Sequence, residues 1–228
     1  MQKRVVVLSL GGSLIIPDEL DIGFLDDFRR VLKKNSKKLN FVVVCGGGSV
    51  ARKYISALRV DKKSELLQNL AGISITRMNA RFMSYFFGKD ANDGIPHDMK
   101  HVENLLKKND VVFCGALRYS PGQTSDTTAV KLAHYFSTNF VNLTNVKGLY
   151  DSNPEKNKNA KFISSCTIEN FNKIVMAIQS KPGMHAPVDH MAMKMIKKYR
   201  IKTIILGKDM KNFDNFLNGK RFVGSVIE

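Results

Sequence analysis

Cysteine, acidic residues and long apolar runs are all scarce in this chain, and each scarcity excludes something. The three cysteines, Cys45, Cys114 and Cys166, are odd in number and widely spaced. They form neither a metal-ligand pattern nor a disulfide framework, so reduced and mostly buried thiols of a cytosolic protein are expected. No apolar run reaches the roughly 18 residues that span a bilayer. Met1-Gln2-Lys3-Arg4 leads into only six residues, Val5 to Leu10, before glycine, so no secretory signal is expected. The expected setting is cytoplasmic, with no membrane partner. His97, His101, His134, His185 and His190 show no metal spacing, and no metal-ligating set is expected in the protein itself. The pattern G-x-x-x-x-G-K-[ST] is absent, which excludes a P-loop site.

Acids number 20 against 36 lysines and arginines, for a formal net charge of +16. Such a chain attracts polyanions. The basic residues are nevertheless spread along the sequence, and aromatics are not interleaved with them as in a single-strand binding surface. A solvated, lysine-rich surface is expected, and a nucleic-acid partner is not.

What is present is enough for one large α/β domain: 228 residues, 43% of them hydrophobic. Val5–Leu10, Phe41–Cys45, Val111–Cys114, Phe140–Leu143 and Thr203–Leu206 are short, β-branched runs ended by glycine or polar turns. They read as buried parallel strands. Phe24, Leu25, Phe28, Val31 and Leu32 share one helical face. Leu66 to Phe82 fits a long helix, and Val130–Phe136 and Met191–Tyr199 fit two more. Alternating strands and helices imply a three-layer αβα sandwich around an open, mostly parallel sheet. Ligands of such sheets bind at the carboxyl ends of the strands.

Four loops at those ends carry the functional argument. Gly11-Gly12-Ser13 follows the first strand and suits phosphate, though a structural turn fits equally well. Gly46-Gly47-Gly48-Ser49 follows the second strand and opens a helix, with Arg52 one turn inside as a cation for the same anion. The spacing Gly46, Gly48, Ala51 also matches a dinucleotide fingerprint, but no acid-tipped strand follows. Ser120-Pro121-Gly122-Gln123-Thr124-Ser125-Asp126 follows the third strand. Asp126 there is either a helix cap or an organiser of transfer chemistry. Thr144-Asn145-Val146-Lys147-Gly148-Leu149-Tyr150, with Asn153-Pro154 beyond, reads as a loop in which Tyr150 can stack on a base and Asn145 can bond one. A solvent-facing turn is the plainer reading.

Taken together, the segments GGS (from Gly11), GGGSVARKY (Gly46), GISITRMNA (Gly72), PGQTSDTTA (Pro121), TNVKGLY (Thr144), DHMAMKMI (Asp189) and IKTIILGK (Ile201) resemble the amino-acid-kinase superfamily, most closely its archaeal-type UMP kinases. They occur in that family's order and cover nearly the whole chain. The resemblance implies Mg²⁺-dependent phosphoryl transfer from ATP to UMP. It implies an acceptor lobe over about 1–138, an ATP lobe over about 139–228, and a homo-oligomer, a hexamer or a dimer, joined through the second and third helices. Gly12, Ser13, Gly48 and Arg52 would hold the ATP phosphates, and Thr144, Asn145, Tyr150 and Asn153 the adenosine side. Gly47, Asn69, Pro121, Gly122, Gln123, Thr124 and Ser125 would hold the acceptor. Asp126 and Arg52 would be the catalytic pair, with Asp126 orienting cations around the transferring group.

The chain departs from the family at Ser9, where a lysine is common, at Asn69 and Lys147, where aspartate is usual, and at Asn153, where the family has Asp-Pro. Arg118-Tyr119 lengthens the acceptor loop. Without the lysine, Arg52 or Lys194 must supply the cation. The departures keep two other readings open: a related small-molecule kinase with a different acceptor, and a non-catalytic nucleotide-binding or storage protein.

Overall fold

The computed structural model describes residues 3–16, 19–121, 123–179 and 187–228. The five runs read as strands are all strands: β1 (Arg4–Leu10), β2 (Leu39–Cys45), β3 (Val111–Cys114), β4 (Phe140–Leu143) and, later in the chain, Thr203–Leu206. β1 pairs in parallel with β2 on one side (Val7 opposite Val42) and β4 on the other (Leu8 opposite Val141). Apart from Arg4, Val5 and Asn40 near the strand starts, the side chains of these four strands are buried on one face or the other, so the runs show no polar alternation.

Helices cover both faces. Leu8, Leu10, Phe41, Val43 and Phe113 pack with Phe24, Phe28 and Leu32 of α2 (Ile22–Asn35) and with Met83 and Phe87 of α4 (Glu65–Phe87). Val7, Val42, Val44 and Val112 pack on the opposite face with Val102 of α5 (Met99–Leu106) and Val130 and Leu132 of α6 (Ser125–Tyr135). Fully buried rings such as Phe28, Phe41 and Phe113 each contribute about 1.5–3 kcal/mol of transfer free energy. The other helices are α1 (Gly12–Ile15), α3 (Gly48–Val60), α7 (Ile168–Gln179), α8 (His190–Tyr199) and α9 (Met210–Leu217).

The small strands were not expected. Leu149–Tyr150 (β5) pairs with Phe162–Ile163 (β6), so the end of the Thr144–Tyr150 loop is a hairpin edge and not a solvent-facing turn. β7 (Ser165–Cys166), β8 (Thr203–Leu206) and β9 (Ser225–Ile227) complete the main sheet, in order β3-β2-β1-β4-β8-β9-β7. β9 runs antiparallel to β8. The strand order reverses beside β1, which puts a crevice at the carboxyl ends of β1 and β4. Cys45, Cys114 and Cys166 are all free thiols, and burial pushes Cys114 up to about 12.

Candidate active site

Two glycine loops meet in that crevice, backbone against backbone. Gly12 lies on Gly48 so closely that a methyl group at Gly12 would run into the Gly48 backbone. The reverse also holds: Gly48 has φ +62°, and a Cβ there would sit 2.8 Å from the Gly12 carbonyl carbon. Neither loop can therefore carry a side chain at the contact. The pair is fastened to the sheet by Gly46 N–H donating to Leu10 O (2.9 Å) and Gly11 N–H to Leu143 O (3.2 Å). From α4, the buried Asn79 Nδ2 donates to Gly46 O at 2.7 Å. α3 starts from this loop with no side-chain cap on its free N–H groups, which leaves them open to an anion.

The same long helix shapes the start of the acceptor loop. Thr76 Oγ1 accepts from Ala116 N–H at 2.9 Å, and Arg77 donates to the carbonyls of Ala116 and Leu117. Further up α4, Asn69 Nδ2 is buried with no hydrogen-bond partner. A buried unpaired donor costs about 1–3 kcal/mol.

The start of α6 corrects one expectation. Its cap is Thr124, whose Oγ1 accepts from Asp126 N–H at 3.1 Å. Asp126 does not cap, so its carboxylate is free for other work. Its Oδ1 accepts from Ser9 Oγ at 2.7 Å, where Ser9 is buried at the end of β1. Burial pushes the Asp126 carboxyl up to about 7, against the Ser9 hydrogen bond, which lowers it, and with the nearby Asp189 charge, which raises it. Among the described residues no cation pairs with Asp126. Arg52 is exposed, and Lys194 is an exposed residue of α8. The expected orientation of cations by Asp126 thus has no counterpart within the described residues.

Asp189 is the organising residue that sequence reading missed. Thr124 donates to its carboxylate at 2.6 Å and Thr127 at 2.9 and 3.0 Å. It also caps α8 by accepting from Met191 and Ala192 N–H. One carboxylate therefore joins the N-termini of α6 and α8. The Asp-His pair opening the DHMAMKMI segment carried the signal, because aspartate before an apolar helix reads as a cap. Asn79 gave no such signal: asparagine inside a helical pattern is not informative until the packing is known.

Four of the predicted ATP-side residues, Thr144, Asn145, Tyr150 and Asn153, share a cavity of about 290 Å³ with Ser13 and Arg52. The cavity thus joins the first half of the chain to the second. Its polar rim is held by Asn145 Nδ2 donating to Glu155 Oε1 (2.6 Å) and Glu155 N–H to Asn153 Oδ1 (2.8 Å). Tyr150 packs edge-on against Phe162, with centroids 5.6 Å apart. Gly12 and Gly48 form the backbone shelf beside Ser13. Of the acceptor set, Gly47 precedes α3, and Thr124 and Ser125 open α6. Pro121 is exposed, and Gly122 lies outside the described residues. Gln123 is drawn aside: its Oε1 accepts from Lys131 Nζ at 2.6 Å, against the flank of α6.

Among the described residues no three metal-ligating side chains cluster. Two carboxylates, Asp126 and Asp189, lie near enough to interact.

A family model described as the amino acid kinase family matches residues 4–207. The uridylate kinase of Thermococcus kodakarensis is 36% identical over 225 residues, covering 98% of this chain and 99% of that protein. The crystal structure of the uridylate kinase of Archaeoglobus fulgidus superposes with a TM-score of 0.81 at 31% identity, over the full length of both chains. The UMP kinase of Ureaplasma parvum, at 20% identity and a TM-score of 0.77, shares the fold.

Proposed function

The chain belongs to the amino acid kinase family, and on that premise we propose that it transfers the γ-phosphoryl group of ATP to UMP, giving UDP and ADP. The observation that carries this reading is the joined cleft: a side-chain-free glycine shelf, an uncapped helix N-terminus and a nucleoside-sized cavity meet at Ser13 and Arg52.

A phosphate oxygen of UMP attacks the γ-phosphorus as the bond to the β–γ bridging oxygen breaks, and ADP leaves with that oxygen. The attacking group is already an anion at neutral pH, so no strong base is needed. Positioning and charge neutralisation do most of the catalysis. Backbone N–H groups of the two glycine loops and the α3 terminus hold phosphate oxygens, with Arg52 as the mobile cation. Mg²⁺ bound with ATP would supply positive charge to its phosphates, and Asp126 would be the carboxylate that helps to hold it. Asn69 is the acceptor-side residue of α4 in this reading. The lobes divide near residue 138, with the acceptor on 1–138 and ATP on 139–228. The exposed apolar side chains Leu66, Leu70, Met78 and Tyr85 on α4, with Tyr54 and Val60 on α3, form the face through which copies assemble. No helix among the described residues is long and apolar enough to cross a membrane.

Purified protein with Mg-ATP and UMP is expected to yield UDP. Background product with UMP, alongside clear turnover of another phosphate acceptor, would overturn the acceptor assignment. ATP binding with no transfer to any acceptor would favour the storage reading.

A further inference from the structure

Apart from the cleft described above, a cavity of about 480 Å³ opens between the first turn of α5, the acceptor loop and the flank of α6. Its volume falls in the range of small-molecule sites. It shares no lining residue with the nucleoside cavity, and neither Gly47 nor Asp126 borders it. Its apolar walls are Met99 of α5, Leu117 of the loop and the ring of Tyr135 on α6. Polar contacts tie the three elements together around it. Tyr135 Oη donates to Glu103 at 2.6 Å, and Arg118 meets Asp98 at 3.5 Å. Lys100 pairs with Glu103 at 2.9 Å.

Lys131 is the cation left over. It lines the cavity from α6, and among the described residues no carboxylate pairs with it. Its Nζ donates to Gln123 Oε1 at 2.6 Å, a neutral amide that leaves the positive charge unmatched. Partial burial lowers the pKa of this ammonium from the ordinary lysine value, so water does not fully replace the missing counterion. Fastening the loop is the plain role of Lys131, but the ammonium has three donors and Gln123 uses one. An anionic oxygen on a second donor makes a stronger bond than the amide does. Three cations, Lys100, Arg118 and Lys131, face two carboxylates, Asp98 and Glu103. The single surplus charge suits a monoanion and does not suit a triphosphate. An inorganic ion would leave the walls of Met99, Leu117 and Tyr135 uncovered, so the anion needs an apolar body.

We propose that this cavity is an effector site for a small organic monoanion, whose charged group meets Lys131 and whose apolar body covers Met99, Leu117 and Tyr135. Leu117, Arg118 and Gln123 belong to the acceptor loop, so an occupant orders that loop, and its affinity and that of the acceptor rise by the same factor. The coupling rests on UMP being the acceptor; the binding does not. The probes are 8-anilinonaphthalene-1-sulfonate and its uncharged counterpart N-phenyl-1-naphthylamine. Both are titrated by fluorescence against the full chain, with a non-hydrolysable ATP analogue filling the nucleoside cavity. The sulfonate is expected to bind about tenfold more tightly than the amine. Lys131→Met should weaken the sulfonate about tenfold and leave the amine unchanged, whereas Lys131→Arg should retain the sulfonate. Tyr135→Ala should weaken both probes. Calorimetry should show UMP bound about fivefold more tightly when the sulfonate is saturating, and no such gain in Lys131→Met. Equal affinity for the two probes, or a sulfonate titration indifferent to Lys131→Met, would overturn the site. Displacement of the sulfonate by UMP would make the cavity part of the acceptor site, and an unchanged UMP affinity would remove the effector role; either result overturns the proposal. Lys131-dependent sulfonate binding in a protein that does not bind UMP would support the site and count against UMP as the acceptor.

Discussion

The two ends of the cleft proposed to hold nucleotide are built from different materials. At the phosphate end the contacts are backbone to backbone, as at Gly12 and Gly48, or run from buried side chains to backbone, as from Asn79 to Gly46 and from Ala116 to Thr76. At the nucleoside end they link exposed side chains over short spans, as in Asn145 to Glu155 and Lys161 N–H to Asp151. Buried backbone contacts fix geometry within tenths of an ångström and tolerate no added atom. Exposed polar contacts each add about 1 kcal/mol and can be re-made. The first end is therefore suited to positioning a reacting group, the second to holding a substrate. The family departures fall on both. Lys147 and Asn153 change the forgiving end, whereas Ser9 alters the unforgiving one.

Asp126→Asn should separate the two most sharply. Turnover is expected to fall about 100- to 1,000-fold, the scale of losing one charge-positioning group. The melting temperature should not fall, and should rise near and above neutral pH, because Thr124 remains the cap, an asparagine oxygen still accepts from Ser9, and no buried charge is left. Parallel losses of turnover and stability would make Asp126 a structural residue and break the comparison. Gly12→Ala comes next. The methyl must displace the Gly48 backbone, costing about 1–3 kcal/mol of stability. Misplacement by about 1 Å should lower turnover about 100-fold. A variant with native kinetics would show that the shelf has slack.

The sequence made the forgiving and unforgiving ends legible to different degrees. The five long strands were readable because residues buried on both faces form unbroken β-branched runs. The glycine loops were readable because their position after strands is a local feature. β7 and β9 were not, since two and three residues carry no periodicity and depend on pairing with distant partners. The Asp189 clasp was hidden for a similar reason. Its partners Thr124 and Thr127 are more than sixty positions away, and only the fold brings them together. Asp126 looked like a cap because aspartate commonly is one. Thr124, two residues earlier, took that role and freed the carboxylate. Gln123 was placed on the acceptor by resemblance, and Lys131 turns it toward α6.

Acidity offers a third way to sharpen the contrast. A carboxyl at about 7 is ionised only above neutrality, so kcat/KM in the free enzyme should fall as pH drops below 7. Stability should move the opposite way. The folded group binds its proton more tightly than the unfolded one, whose pKa is about 4, so this contribution to stability declines as pH rises from about 4 to 7. The trend should vanish in Asp126→Asn. Ser9→Ala removes the hydrogen bond that favours the ionised form. Its acid limb should shift upward by about one pH unit, close to a tenfold loss of rate on that limb. An unshifted limb would mean that Ser9 does not tune Asp126.

The mildest change belongs at the other end. Asn145→Ala removes an exposed side chain whose partner, Glu155, can turn to water. The expected loss is about 1 kcal/mol, a rise in KM for ATP of about fivefold with kcat retained. The same split should hold for Tyr150→Ala, with a larger rise because a stacked base contributes about 1–3 kcal/mol. Steady-state kinetics with ATP varied and UMP saturating reads both. If Asn145→Ala lowered kcat as far as Gly12→Ala does, the nucleoside end would be positioning the reaction too. The division between a rigid phosphate shelf and a yielding nucleoside rim would then fail, because a side chain free to re-pair with water would be controlling the same step as a backbone contact that cannot yield.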